Sequence, residues 1–169
     1  GVDHSQQLTV RQLLHQTSGL ADYYESDLAA DLKAGRDRAN GLAEVLQMTR
    51  SLPPQAAPDS GRSYYSDTNF QLLGAVIERE TGQSFDQVLQ TRICAPLELR
   101  QTGVLKGTDV GLPVYHEQRM LNVPQILTSM GPDGGIISTL DEMLSFLRAF
   151  MQYQLFNGDK VMAHQMAAD

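Results

Sequence analysis

Four times in this 169-residue chain an oxygen-bearing side chain stands three places ahead of Gln or Glu at the head of an apolar stripe. The pairs are Thr9 with Gln12, Asp22 with Glu25, Ser84 with Gln87 and Thr139 with Glu142. In such a capping box each side chain satisfies a backbone amide at the other's position, so each pair predicts a helix start. After Thr9 the helix is short, with Thr17-Ser18-Gly19 as its stop. Asp22 opens a second short helix carrying Leu28 and Leu32, and Leu42, Val45, Leu46 and Thr49 mark a third within 38–50. Phe70, Leu73 and Ile77, with Leu72 and Val76 beside them, predict a longer helix from Thr68 to Glu80, stopped at Gly82. After Ser84 come Val88, Leu89 and Ile93, with Pro96 closing. The Thr139 helix has the strongest stripe: Leu140, Met143, Leu144, Leu147, Phe150 and Met151, whose methionines read as core. A weaker helix is expected from Val161. Residues 97–137, rich in Gly and Pro, read as a long irregular excursion with one or two short strands, of the kind that lines functional sites. The fold class is mainly α.

Composition narrows the function. Thirteen Lys and Arg against twenty Asp and Glu give a net charge of −7, which argues against a nucleic-acid or anionic-membrane partner. The single cysteine, Cys94, excludes an internal disulfide and reads as a small buried hydrophobe. No apolar run reaches the roughly 18 residues that span a bilayer. His4, His15, His116 and His164 are isolated, so no metal is expected. The first residues have no signal-peptide character and do not begin with Met, from which an excised or processed piece is expected.

Gly-rich phosphate loops, His-Glu-x-x-His and Gly-x-Ser-x-Gly are absent. Three segments remain that local structure does not explain: Leu13 to Leu20, Tyr64 to Gly74, and Gly131 to Thr139. In this order they resemble the serine β-lactamase and penicillin-binding-protein family, in particular its class C-like branch of β-lactamases, D-amino-acid peptidases and esterases. The family's Leu-Leu-x-His-Thr-Ser-Gly-Leu turn is matched with Gln16 in place of His. Its Tyr-x-Asn loop, entering a Leu-Leu-Gly helix that ends at Thr-Gly, is matched with Asp67 in place of Asn. Pro96-Leu97-Glu98-Leu99 departs from Pro-Leu-Gly-Met, and Gly134 to Thr139 match the Gly-Gly-Leu-x-Ser-Thr turn.

The resemblance implies a helical lobe of the β-lactamase/DD-peptidase-like α/β fold, a single lobe over 1–169 with few short strands. It implies a serine hydrolase working through an acyl-enzyme on a β-lactam, D-amino-acid peptide or ester, without a cofactor. The nucleophilic Ser-x-x-Lys is missing, as Ala30, Gly103 and Asn157 stand three places before the three lysines. Lys-Thr-Gly and His-x-Gly are missing too. The chain is therefore expected to be inactive by itself, one lobe of an enzyme that would take a small acyl substrate and, with related enzymes often exported, one whose compartment the sequence leaves open. The alternative is a freestanding, non-catalytic helical binding module derived from such an enzyme.

By resemblance Tyr65 serves proton transfer, and a base role would need neighbouring cations to stabilise its phenolate; without them it should be neutral. Asp67 only accepts hydrogen bonds, so it could hold a catalytic Lys but would repel a substrate carbonyl, which points away from β-lactams and toward esters or peptides. It could equally cap a helix starting at Thr68. Gly134 and Gly135 are read as close-approach or positive-φ glycines, with a substrate-facing role as the lesser alternative. Ser18 and Ser138 are turn or cap residues. A lobe that packs on a sheet should expose an apolar face when alone, and self-association through that face is expected.

Overall fold

The computed structural model describes Val2, residues 4–107 and residues 113–152. Within these the chain is mainly helical. In order it forms α1 (Val10–Leu14), a 3₁₀ turn (Tyr23–Glu25), α2 (Asp27–Ala34), α3 (Leu42–Arg50), α4 (Asp67–Thr81) and α5 (Phe85–Leu89) with a π-helical extension (Gln90–Cys94). There follow β1 (Gly103–Val104), β2 (Val114–His116), β3 (Arg119–Leu121), α6 (Pro124–Ser129), β4 (Ile136–Ile137) and α7 (Leu140–Met151). The residues form two compact units, one from Gly1–Phe85 with Val104–Ile136, the other from Asp86–Gly103 with Ile137–Asp169. The helix expected from Val161 lies outside the described residues.

In the first unit the Thr9 capping box forms as expected, with Thr9 accepting from Gln12 N and Gln12 reaching back to Thr9 N. The stop differs from the expectation. The chain turns at Gln16, where Thr17 N bonds Gln12 O at 2.9 Å and Gln16 N bonds Leu13 O at 3.3 Å, a Schellman closure with φ +59° at Gln16. Gly19 instead lets two backbone segments meet, since a Cβ there would lie 2.1 Å from Ala56 O. Asp22 caps the 3₁₀ turn through Tyr24 N, and α2 has its own cap, Ser26.

One buried cluster joins Tyr23, Leu28, Val45, Val123 and Ile126; another joins Val2, Leu13 and Leu20. Helix α4 packs against α1 and α3. Its Gly74 admits Pro132, whose Cγ would sit 2.2 Å from a Cβ at position 74. The excursion holds a helix that the sequence pattern does not predict, α6. It has no side-chain cap of its own because Asp37 supplies one from afar, accepting from Gln125 N at 3.1 Å and Ile126 N at 2.9 Å. Strands β2 and β3 pair antiparallel, Tyr115 opposite Met120.

In the second unit Leu89, Cys94 and Leu99 are buried. Glu142, near the head of α7, accepts from the amides of Arg100 and Gln101 and from the Thr102 hydroxyl. These bonds hold its carboxyl below the usual range. Thr139 caps α7 as expected. The stripe behind it is not core: Leu140 is 77% and Met151 64% exposed, and Met143, Leu144 and Leu147 are exposed as well. The pattern fixes which side of α7 is apolar, not whether anything covers it.

Candidate active site

Tyr64 and Tyr65 lead into the head of α4, and the first turn of that helix is buried through polar side chains. Ser66, Thr68 and Asn69 are all 0% exposed. Such burial is tolerated only where each group finds a partner. The Ser66 and Thr68 hydroxyls both donate to Ala21 O, at 3.0 and 2.9 Å. Thr68 Oγ1 also accepts from Tyr23 N at 3.2 Å and meets Thr49 Oγ1 at 3.0 Å. Asn69 Oδ1 accepts from the Ser18 hydroxyl at 2.6 Å. Gln55 Nε2 donates to the carbonyls of Leu20 and Tyr65 at 3.1 Å. The apolar stripe Phe70, Leu72, Leu73, Val76 and Ile77 is only half-buried, so the polar first turn is the better covered part of α4.

On this fixed backbone the Tyr65 side chain is 60% exposed. Its hydroxyl donates to Asp67 Oδ1 at 2.6 Å. That corrects the reading of Asp67 as a cap. The helix begins at Asp67 itself, Ser66 is the N-cap position without a side-chain cap bond, and the Asp67 carboxylate holds the phenol.

The hydrogen bond to Asp67, then burial, then the negative charges of Asp67, Asp22 and Asp133 push the Tyr65 phenol up to about 12. The phenol is neutral at neutral pH, as expected of a tyrosine facing carboxylates rather than cations. Burial also raises Asp22, an effect opposed by the bond from Tyr24 N. Beside Tyr65 a cavity of about 490 Å³ is lined by Asp22, Glu25, Leu52 and Pro53 among others.

Gly134 and Gly135 follow a carboxylate that belongs to the same electrostatic neighbourhood. Asp133 Oδ2 accepts from the buried Tyr23 hydroxyl at 2.6 Å, and its Oδ1 is buried without a partner. Burial pushes Asp133 up to about 6, against the bond from Tyr23 and the influence of the nearby Gln71 amide. Burial, followed by the bond to Asp133, raises the Tyr23 phenol strongly. Of the two glycines, close approach is required at Gly135, where a Cβ would stand 2.5 Å from Gly131 N. At Gly134 a Cβ would make ordinary contact with Met130. Positive φ belongs to neither but to Gly131, at +44°. Tyr23 and Asp133, 110 positions apart, carried no sequence signal. Among the described residues no group of three or more His, Cys, Asp or Glu could hold a metal ion, and no helix is long and apolar enough to cross a membrane.

The beta-lactamase family model matches residues 1–168, and the chain belongs to that family, which is one of serine hydrolases. Penicillin-binding protein 4 of Amycolatopsis lactamdurans is 29% identical over 150 residues, covering 83% of this chain and 37% of its own. The crystal structure of a D-stereospecific amidohydrolase from Streptomyces sp. superposes with a TM-score of 0.74 at 29% identity, covering 89% of this chain and 48% of that one. The D-amino acid amidase of Ochrobactrum anthropi SV3 gives 0.74 at 25%, covering 88% and 45%. The chain thus spans less than half the length of each of these three relatives.

Proposed function

We propose that this chain is the helical lobe of a larger serine hydrolase, inactive by itself, in which Tyr65 takes part in proton transfer during acyl-enzyme formation and breakdown. The observation that carries this is the exposed Tyr65 hydroxyl, standing on a buried, fully bonded helix turn beside a 490 Å³ cavity. In the mechanism a serine oxygen outside the chain attacks the substrate carbonyl, its proton passes to a neighbouring base, and the leaving group departs protonated. Water then cleaves the resulting ester. In this reading Tyr65 relays those protons, and Asp67, which accepts from its hydroxyl, sets where that hydroxyl points. For Tyr65 to act as phenolate, cations contributed from outside the chain must offset the three carboxylates that now hold it neutral. The relatives' names support an acyl substrate such as a penicillin or a D-amino-acid amide. Asp67, being an acceptor only, favours esters or peptides over β-lactams. Gly134 and Gly135 border the substrate in this reading.

Incubation of the 169-residue chain with a fluorescent penicillin and with a p-nitrophenyl ester should give no covalent label and no turnover. The full-length gene product should turn over the ester. Labelling of this chain that a single Ser→Ala change abolishes would sink the proposal. In the full-length product, Asp67→Asn should speed cephalosporin hydrolysis about tenfold or more; equal rates would remove the specificity role. The exposed α7 stripe also fits a freestanding binding module. A gene that starts just before Gly1 and stops after Asp169 would favour that second reading.

A further inference from the structure

The backbone at position 16 asks for glycine. It is the left-handed residue of the α1 Schellman closure, with φ +59°, a conformation that costs any side-chain-bearing residue free energy. A glutamine stands there instead, and its contacts give a reason. The Gln16 carbonyl accepts from Tyr64 N at 2.8 Å. Its side-chain Oε1 accepts from Ser66 N at 3.0 Å. The amides on either side of Tyr65 therefore both end on one residue some fifty positions earlier.

Oε1 also accepts from Asn69 Nδ2, and Asn69 is itself fixed by the Ser18 hydroxyl. Two donors converging on Oε1 decide the orientation of the Gln16 amide, and they leave its buried Nε2 without a partner. Gln16 thus carries two local penalties, a left-handed backbone and an unpaired donor, while both of its acceptor oxygens hold the Tyr65 segment.

We propose that Gln16 is the positioning residue of Tyr65: it fixes the peptide plane that follows Tyr65 and the one that precedes Tyr64, and so aims the phenol. This rests on the reading of Tyr65 as a proton-transfer group. Two substitutions separate aiming from folding. Gln16→Gly suits the turn and keeps the carbonyl bond to Tyr64 N but removes Oε1. Gln16→Glu keeps an acceptor for Ser66 N and Asn69.

In the full-length product acting on a p-nitrophenyl ester, Gln16→Gly should lower kcat about ten- to a hundredfold with KM within about twofold. Gln16→Glu should restore kcat to within about threefold of the parent. In the 169-residue chain, the Tyr65 ¹³Cζ resonance should titrate near 12 and move toward 10 in Gln16→Gly as the bond to Asp67 loosens. Adding Tyr65→Phe to Gln16→Gly should cost less than Tyr65→Phe costs alone. If Gln16→Gly keeps kcat and the titration while Tyr65→Phe loses kcat, the positioning role is wrong and the reading of Tyr65 stands. If Tyr65→Phe itself leaves kcat unchanged, the reading falls and the positioning role falls with it.

Discussion

Helices α4 and α7 are both amphipathic in sequence, yet they reverse the usual rule in opposite directions. The first turn of α4 buries hydroxyls and an amide completely, while α7 leaves leucines and methionines in contact with water. Burial in α4 is held by partners 45 to 51 residues away, each bond compensating one desolvated group. Among the described residues, exposure along α7 has no such account; a stripe of that kind suits contact with another surface. A buried polar turn holds its neighbours in one geometry, and an exposed apolar stripe can be covered by whatever fits it.

The contrast can be broken most sharply at Asn69. Replacing it with Ala should destabilise the chain by about 3 kcal/mol in urea unfolding, because the Ser18 hydroxyl loses its acceptor in a dry site. A loss below about 1 kcal/mol would mean that the polar turn is not the rigid part.

A smaller effect is expected at Asp133, whose folded carboxyl sits at about 6 against an ordinary 3.8. Its folded value is raised, so the stability gained by protonation is fully present below 3.8 and is lost as pH rises through 6. With screening at its partly exposed side chain, Asp133→Asn should stabilise the chain by about 1–2 kcal/mol at pH 7.5 and by nothing near pH 4. Melting curves at the two pH values measure this difference.

The smallest change in stability belongs to α7. Leu144→Gln with Leu147→Gln should shift the unfolding free energy by no more than about 0.5 kcal/mol per site while reducing self-association in sedimentation. A loss of about 2 kcal/mol would show that the stripe is already covered.

What could be read from the sequence is what is local. Thr9 and Thr139 cap their helices as expected because a cap and its amide lie within one turn. The Tyr65 segment could be found by resemblance. Helix α6 could not, since its cap, Asp37, is 88 residues away. Neither could the Tyr23–Asp133 pair, nor the turn at Gln16, where the residue that propensity favours is absent and long-range bonds decide. The apolar side of α7 was legible and its exposure was not, because periodicity describes a helix and not its surroundings.

Cys94, buried at the end of the π-helical extension with its thiol pushed up by burial, gives the chain a practical property. It is the sole cysteine, and in the folded state it offers a reagent neither access nor thiolate. A second cysteine placed on the exposed face of α7 would therefore take a spectroscopic label alone. The native thiol would stay silent until its unit opens, and its labelling rate would then time that opening.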